Sequence, residues 1–199
     1  MKKDTRFFAT TLILTVVVLA PLIGQLRAGT SEEFNTVKDS SQAVSVITDE
    51  VINMKKSKYG DYTYNKYENP LFGFTIEYPS FLTEKRESEK GEGAILQNKE
   101  NTVVVILSGV NNALNHTPKE LFDGYVNNTK GITYKKIIEN SFMIAVESGN
   151  NSYFIYEVVG EGSINTFIVG YPKEDSKEFD KIIKQMKKTF ETPYVHKAR

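Results

Sequence analysis

Side chains able to do covalent or acid–base chemistry are few in this chain. Cysteine is absent from all 199 residues, which removes disulfides, thiolate metal sites and thiol nucleophiles. Only two histidines remain: His116, just before a helix-capping sequence, and His196, in the tail beyond Pro193. A pair so placed makes a poor zinc site or triad, so both read as surface residues. Ser108-Gly109 follows an apolar run, where a nucleophile can sit, yet no base can be named for it and a turn is the simpler reading. Glu147 and Glu157 fall on adjacent expected strands. If they face one another they suit acid–base work or calcium; otherwise they are solvated strand charges. No Gly-x-Ser-x-Gly elbow, phosphate loop or His-Glu-x-x-His is present. The chain reads as non-enzymatic, with no catalytic residue, cofactor or metal assigned.

Residues suited to binding are more plentiful. Tyr59, Tyr62, Tyr64 and Tyr67 are four tyrosines within nine residues. Such rings give contact area at low entropy cost and form a candidate partner surface. They serve equally as a lead-in strand packed on a domain, and packing is the favoured reading. Asn115, Asn127 and Asn150 each begin an Asn-x-Ser/Thr triplet in a polar stretch. They are glycan acceptors if the host glycosylates exported proteins. Lys181, Lys184, Lys187 and Lys188 form the polar side of the last expected helix, a solvated face by default.

Charge and hydropathy patterning divide the chain. Its 25 basic and 25 acidic side chains cancel, which argues against nucleic acid as a partner. The cancellation is uneven: residues 1–27 carry four basic and one acidic side chain, leaving the remainder mildly acidic. Lys2, Lys3 and Arg6 precede an uncharged stretch from Phe7 to Leu26, densest in apolar residues from Leu12 to Ala20. Residues 1–28 therefore read as a signal peptide or an uncleaved signal anchor, with the rest outside the cytoplasm. Both forms stay open: membrane-anchored by an N-terminal helix, or secreted if the signal is cleaved. Residues 29–63 read as a helical stalk. Val37, Val44 and Val51 recur every seven residues, with Ile47 and Met54 offset by three. That stripe suits an amphipathic stalk or weak self-association through a 32–57 helix, which Gly60 would end.

The remainder, residues 64–192, alternates strand and helix signals, and residues 193–199 form a tail. Phe72, Phe74, Ile76 and Tyr78 share one face of an expected strand. Ala94–Gln97 and Thr102–Leu107 follow, the second apolar enough for a central strand covered on both faces. Thr117-Pro-Lys-Glu120 is a capping box that launches a helix to about Asn128, with Leu121, Phe122 and Tyr125 inward. Lys135–Ile138, Phe142–Glu147, Tyr153–Val159 and Ile164–Tyr171 are further strands joined by hairpin-length turns. Asp175-Ser-Lys-Glu178 caps a last helix whose Phe179, Ile182, Ile183, Met186 and Phe190 form one stripe. The order β-β-β-α-β-β-β-β-α predicts an α+β fold, an antiparallel sheet flanked by helices.

The run from Tyr67 to Phe81, containing Phe72-Gly-Phe-Thr-Ile-Glu-Tyr-Pro79, resembles the opening of the PsbP-like family. The close is also similar: a hydrophobic strand, then a capped helix ending Met186-Lys-Lys-Thr-Phe190. Phe81 stands where that family usually has Trp. The resemblance implies an α/β/α sandwich and a module that binds other proteins rather than catalyses. The leading expectation is thus an extracytoplasmic, non-catalytic module with an unidentified protein partner. One alternative is a small-ligand or lipid carrier with an apolar pocket between sheet and helix. The other is a carboxylate-based hydrolase.

Overall fold

A computed structural model describes residues 57–193. The expected signal or anchor, residues 29–56 of the expected stalk, and His196 lie outside the described residues. Among the described residues, no helix is long and apolar enough to cross a membrane. Residues 57–63 form a turn and an extended lead-in rather than helix, with Gly60 at φ 74°. Gly60 thus occupies a left-handed conformation at that turn; the helix it is expected to end lies outside the described residues.

Nine strands and two helices follow. They are β1 (Tyr64–Glu68), β2 (Thr75–Pro79), β3 (Glu84–Glu87), β4 (Gly93–Gln97), β5 (Val104–Asn111), α1 (Pro118–Asn128), β6 (Ile132–Ile138), β7 (Ser141–Ser148), β8 (Asn151–Val159), β9 (Ser163–Pro172) and α2 (Ser176–Thr189). A short 3-10 turn, Lys173–Asp175, leads into α2. β1 and β2 form a two-stranded hairpin. The other seven strands form one antiparallel sheet in the order β3-β4-β5-β9-β8-β7-β6.

The expected α+β class and the antiparallel pairing of the last four strands are present. Two elements differ from expectation. The strand expected from Phe72 starts at Thr75, because the Asn69 carboxamide accepts from the Leu71 and Phe72 N–H groups and folds Pro70–Phe72 into a turn. Phe72 is buried from that turn rather than from a strand. β3, Glu84-Lys-Arg-Glu87, has no apolar residue and is wholly exposed. It exists because its backbone pairs with β4, Glu84 opposite Gln97.

Period two gives the large sheet two faces. One carries Leu96, Val105, Leu107, Phe167, Val169, Phe154 and Met143, and packs against α2 and the β1–β2 hairpin. Phe74, Phe167, Phe179, Ile182 and Met186 fill that interface, each below 2% exposed. Tyr171 stacks on Phe179 at 4.3 Å, and Phe190 meets Phe74, Tyr156 and Phe167. The α2 stripe is therefore the core contact its spacing predicts. Thr75 and Glu191 exchange backbone hydrogen bonds, tying β2 to the end of α2.

The opposite face carries α1 at one end only. Phe122 and Tyr125 meet Phe142 edge-on at 5.8 and 5.4 Å. The capping box forms as read, with Glu120 N–H donating to the Thr117 hydroxyl and Thr117 N–H to Glu120 Oε2. Beyond α1, Val104 and Ile106 are half-buried, so β5 is fully covered on one face rather than both.

Candidate functional site

The tyrosine-rich segment is built into the domain. Tyr59 stacks on Phe81 at 4.6 Å and meets Phe179 edge-on, so packing starts at Tyr59 rather than at residue 64. Its O–H donates to Asp175 at 2.6 Å, and Tyr62 O–H donates to Glu178 at 3.0 Å; Asp175 stands at the N-cap of α2 but does not make the side-chain cap bond the sequence predicts. Burial first, and then these carboxylates, push both phenols well above the ordinary tyrosine range. Tyr64 is half-buried against Tyr62, and Tyr67 is in the core with its O–H on Glu87. The four rings therefore pin the lead-in to α2 and β2, and Tyr67 offers no surface.

Glu147 and Glu157 do not meet. The β7–β8 register sets Phe142 opposite Glu157 and Ser152 opposite Glu147. By alternation the two carboxylates stand on opposite faces. Glu147 pairs with Lys173. Glu157 is 4% exposed beneath α1, where Thr166 Oγ1 donates to it at 2.9 Å and Tyr125 O–H at 3.1 Å. Burial lifts its carboxyl to about 7, against the two hydrogen bonds, which oppose the rise. Burial likewise raises the Tyr125 phenol. The arrangement holds a single carboxyl under a helix; among the described residues no second carboxylate hydrogen-bonds to it. The sequence carried a signal for this burial: Glu157 falls in step with Tyr153, Ile155 and Val159 on one face of β8.

Asn115, Asn127 and Asn150 are all exposed. Asn115 sits in a turn at φ 53°, Asn127 on α1 and Asn150 in the β7–β8 turn. His116 N–H donates to Oδ1 of the buried Asn112, whose Nδ2 donates to the His116 and Gly160 carbonyls. Its backbone thus closes a loop. Ser108 is half-buried in β5, opposite Gly93 and Thr166. No group of three or more metal-ligating side chains occurs among the described residues. Lys181, Lys184 and Lys188 are exposed, whereas Lys187 lies against the sheet, over the Tyr156 ring at 5.4 Å.

A further surface, outside the candidate residues above, is β6, a sheet edge. It exposes Tyr134, Ile137 and Ile138 at 47, 37 and 41%. Two adjacent isoleucines in a strand put one on each face, and that doublet was the available signal.

No protein-family model matches the chain, and no curated protein matches it. Solved structures do. Cyanobacterial PsbP (CyanoP) from Synechocystis sp. PCC 6803 matches with a TM-score of 0.51 at 9% identity, over 67% of this chain and 94% of that one. The yeast Ran-binding protein Mog1p from Saccharomyces cerevisiae matches with a TM-score of 0.47 at 9% identity, over 66% and 96% of the two chains. A protein from Bacteroides thetaiotaomicron VPI-5482 gives 0.46 at 15% identity, over 64% and 47%. The CyanoP match shows a PsbP-like fold.

Proposed function

We propose that this chain is a non-catalytic protein-binding module of PsbP-like fold, working outside the cytoplasm. The observation that carries the reading is a contrast in where side chains are spent. The buried carboxylate and the tyrosine hydroxyls are tied to structural partners, while Tyr134, Ile137 and Ile138 on β6 are each more than a third exposed. Apolar groups along an unpaired sheet edge suit docking of another chain. The fold shared with CyanoP supports the same reading. The address rests on Lys2, Lys3 and Arg6 ahead of the apolar Phe7–Leu26 stretch, with anchoring favoured over secretion. The carrier alternative has less support, because large side chains fill the space between α2 and the sheet.

The test is affinity capture with the tagged full chain from membrane extracts of its native host. A stoichiometric protein partner is expected. Recovery of a lipid or small molecule with no protein would overturn the reading. Protease accessibility of a C-terminal tag in intact cells tests the address, with an external tag expected.

A further inference from the structure

The two edges of the large sheet are unlike. β3 is four residues long, charged throughout and internally bridged, Lys85 to Glu87 at 2.6 Å. Short, charged edges resist strand addition. β6 is seven residues long, with a register shift between Ile132 and Tyr134 and a regular ladder from Tyr134 to Ile138, and every residue from Thr133 to Ile138 is exposed. It pairs with β7 on one side only. Its outer N–H and C=O groups therefore offer a template for another strand.

The side chains of β6 say which strand would fit. Reading back from the turn, Ile138 and Ile137 are apolar, Lys136 and Lys135 are cationic, and Tyr134 is aromatic. Alternation puts Ile138, Lys136 and Tyr134 on the α2 face, and Ile137 and Lys135 on the α1 face. Each face thus pairs an apolar side chain with a cation. Among the described residues, neither lysine has an ion-pair partner. A third cation adjoins them: Lys187 of α2, with its Nζ 3.4 Å from Met143 Sδ on β7, directly across from Lys136. Burial first, and then the Lys136 charge, hold the Lys187 ammonium below the ordinary lysine range. Two cations side by side without a counter-ion favour an incoming anion. A second copy of the chain is the wrong occupant, since antiparallel β6–β6 pairing about its centre sets lysine against lysine.

We infer that β6 docks an extended segment of a partner protein as an eighth strand, with acidic side chains opposite Lys135 and Lys136 and apolar ones opposite Ile137 and Ile138. Backbone hydrogen bonds would supply affinity and the lysine–isoleucine pattern would supply selection. This inference rests on the protein-binding reading above and names the partner's chemistry.

The probe is a labelled acetyl-Thr-Val-Val-Glu-Glu-Val-Val-Thr-amide peptide, titrated onto the full chain and followed by fluorescence anisotropy. Its sequence is the same in either strand direction. Backbone N-methylation of alternate residues should weaken binding at least about tenfold, because strand addition needs the peptide N–H groups. Replacing both Glu by Lys, or making the K135E/K136E variant, should do likewise. Both substitutions lie on exposed positions, and circular dichroism would verify the fold. Absence of binding, or binding indifferent to N-methylation, would overturn strand addition; the latter would mean charge attraction alone. Concentration-dependent dimerisation relieved by K135E/K136E would assign the edge to a second copy instead and also overturn it. Affinity capture repeated with K135E/K136E separates the two levels. A partner held equally by both proteins leaves the binding module standing and removes this edge. Capture of nothing by wild type, with the peptide still bound at β6, removes the module reading and leaves the edge chemistry.

Discussion

Tyr125 on α1 donates its phenolic O–H to Glu157 on β8 at 3.1 Å, across the gap between helix and sheet. It is a polar tie on a helix with no fully buried residue. The other groups facing that carboxyl are the Thr166 hydroxyl from β9 and the Phe142 ring across β7, with no cation among them.

Stability should therefore fall as pH rises through neutrality. The folded state holds the Glu157 proton up to about 7, against an ordinary 4.5. The contribution is complete below the lower value and lost through the upper. At about 1.4 kcal/mol per unit, the loss amounts to about 3 kcal/mol. Glu157→Gln keeps an acceptor but has nothing to titrate, so its urea midpoint should change less between about pH 5 and pH 8. An identical slope in variant and wild type would exclude Glu157 as its source.

Tyr125→Phe keeps the ring on Phe142 and removes one donor to Glu157. A loss of about 1–2 kcal/mol is expected at neutral pH. Because that donor holds the carboxyl down, the pH at which stability is lost should move upward. Amide exchange across α1 should also accelerate relative to β9, readable by mass spectrometry.

The lead-in should be as structural as a strand. Tyr59→Phe loses the bond to Asp175 and keeps the stack on Phe81, at about 1 kcal/mol. Tyr59→Ala loses both and should cost about 2–3 kcal/mol in thermal or urea unfolding. Equal costs would mean that the stack contributes nothing.

Two nearby glycines should behave differently. A Cβ at Gly93 would lie 1.8 Å from the Leu107 carbonyl oxygen, within the β4–β5 pairing. Gly93→Ala must part those strands and should cost about 3 kcal/mol or more. At Gly91 the added Cβ meets open space, and the φ of 74° alone sets the penalty, about 1–2 kcal/mol. Unfolding midpoints of the two variants decide it.

Local signals were the legible part of this fold. Thr117 and Glu120 announced α1 through a capping box that needs only four residues. The Phe179–Met186 stripe announced α2 because its period matches one turn of helix. β3 was illegible because Glu84 to Glu87 owe their extended form to β4, not to their own side chains. Glu147 and Glu157 looked like a pair because their strands are adjacent; only the register reveals opposite faces. The tyrosines were ambiguous for a physical reason: one ring suits solvent contact or a stack, and the Asp175 and Glu178 hydrogen bonds that decide it lie 116 residues away.

The neighbouring of β5 and β9 governs when this sheet can form. Val105 meets Val169 and Leu107 meets Phe167 across its middle, so the centre closes last in sequence. Without β9 the strands β3-β4-β5 and β6-β7-β8 have nothing to join them, because β9 is the hydrogen-bonded neighbour of both β5 and β8. Such distant pairing makes for slow folding. It also makes β9 the strand whose pairing joins the two halves, and the edges of β5 and β8 that await it the places where mispairing can begin.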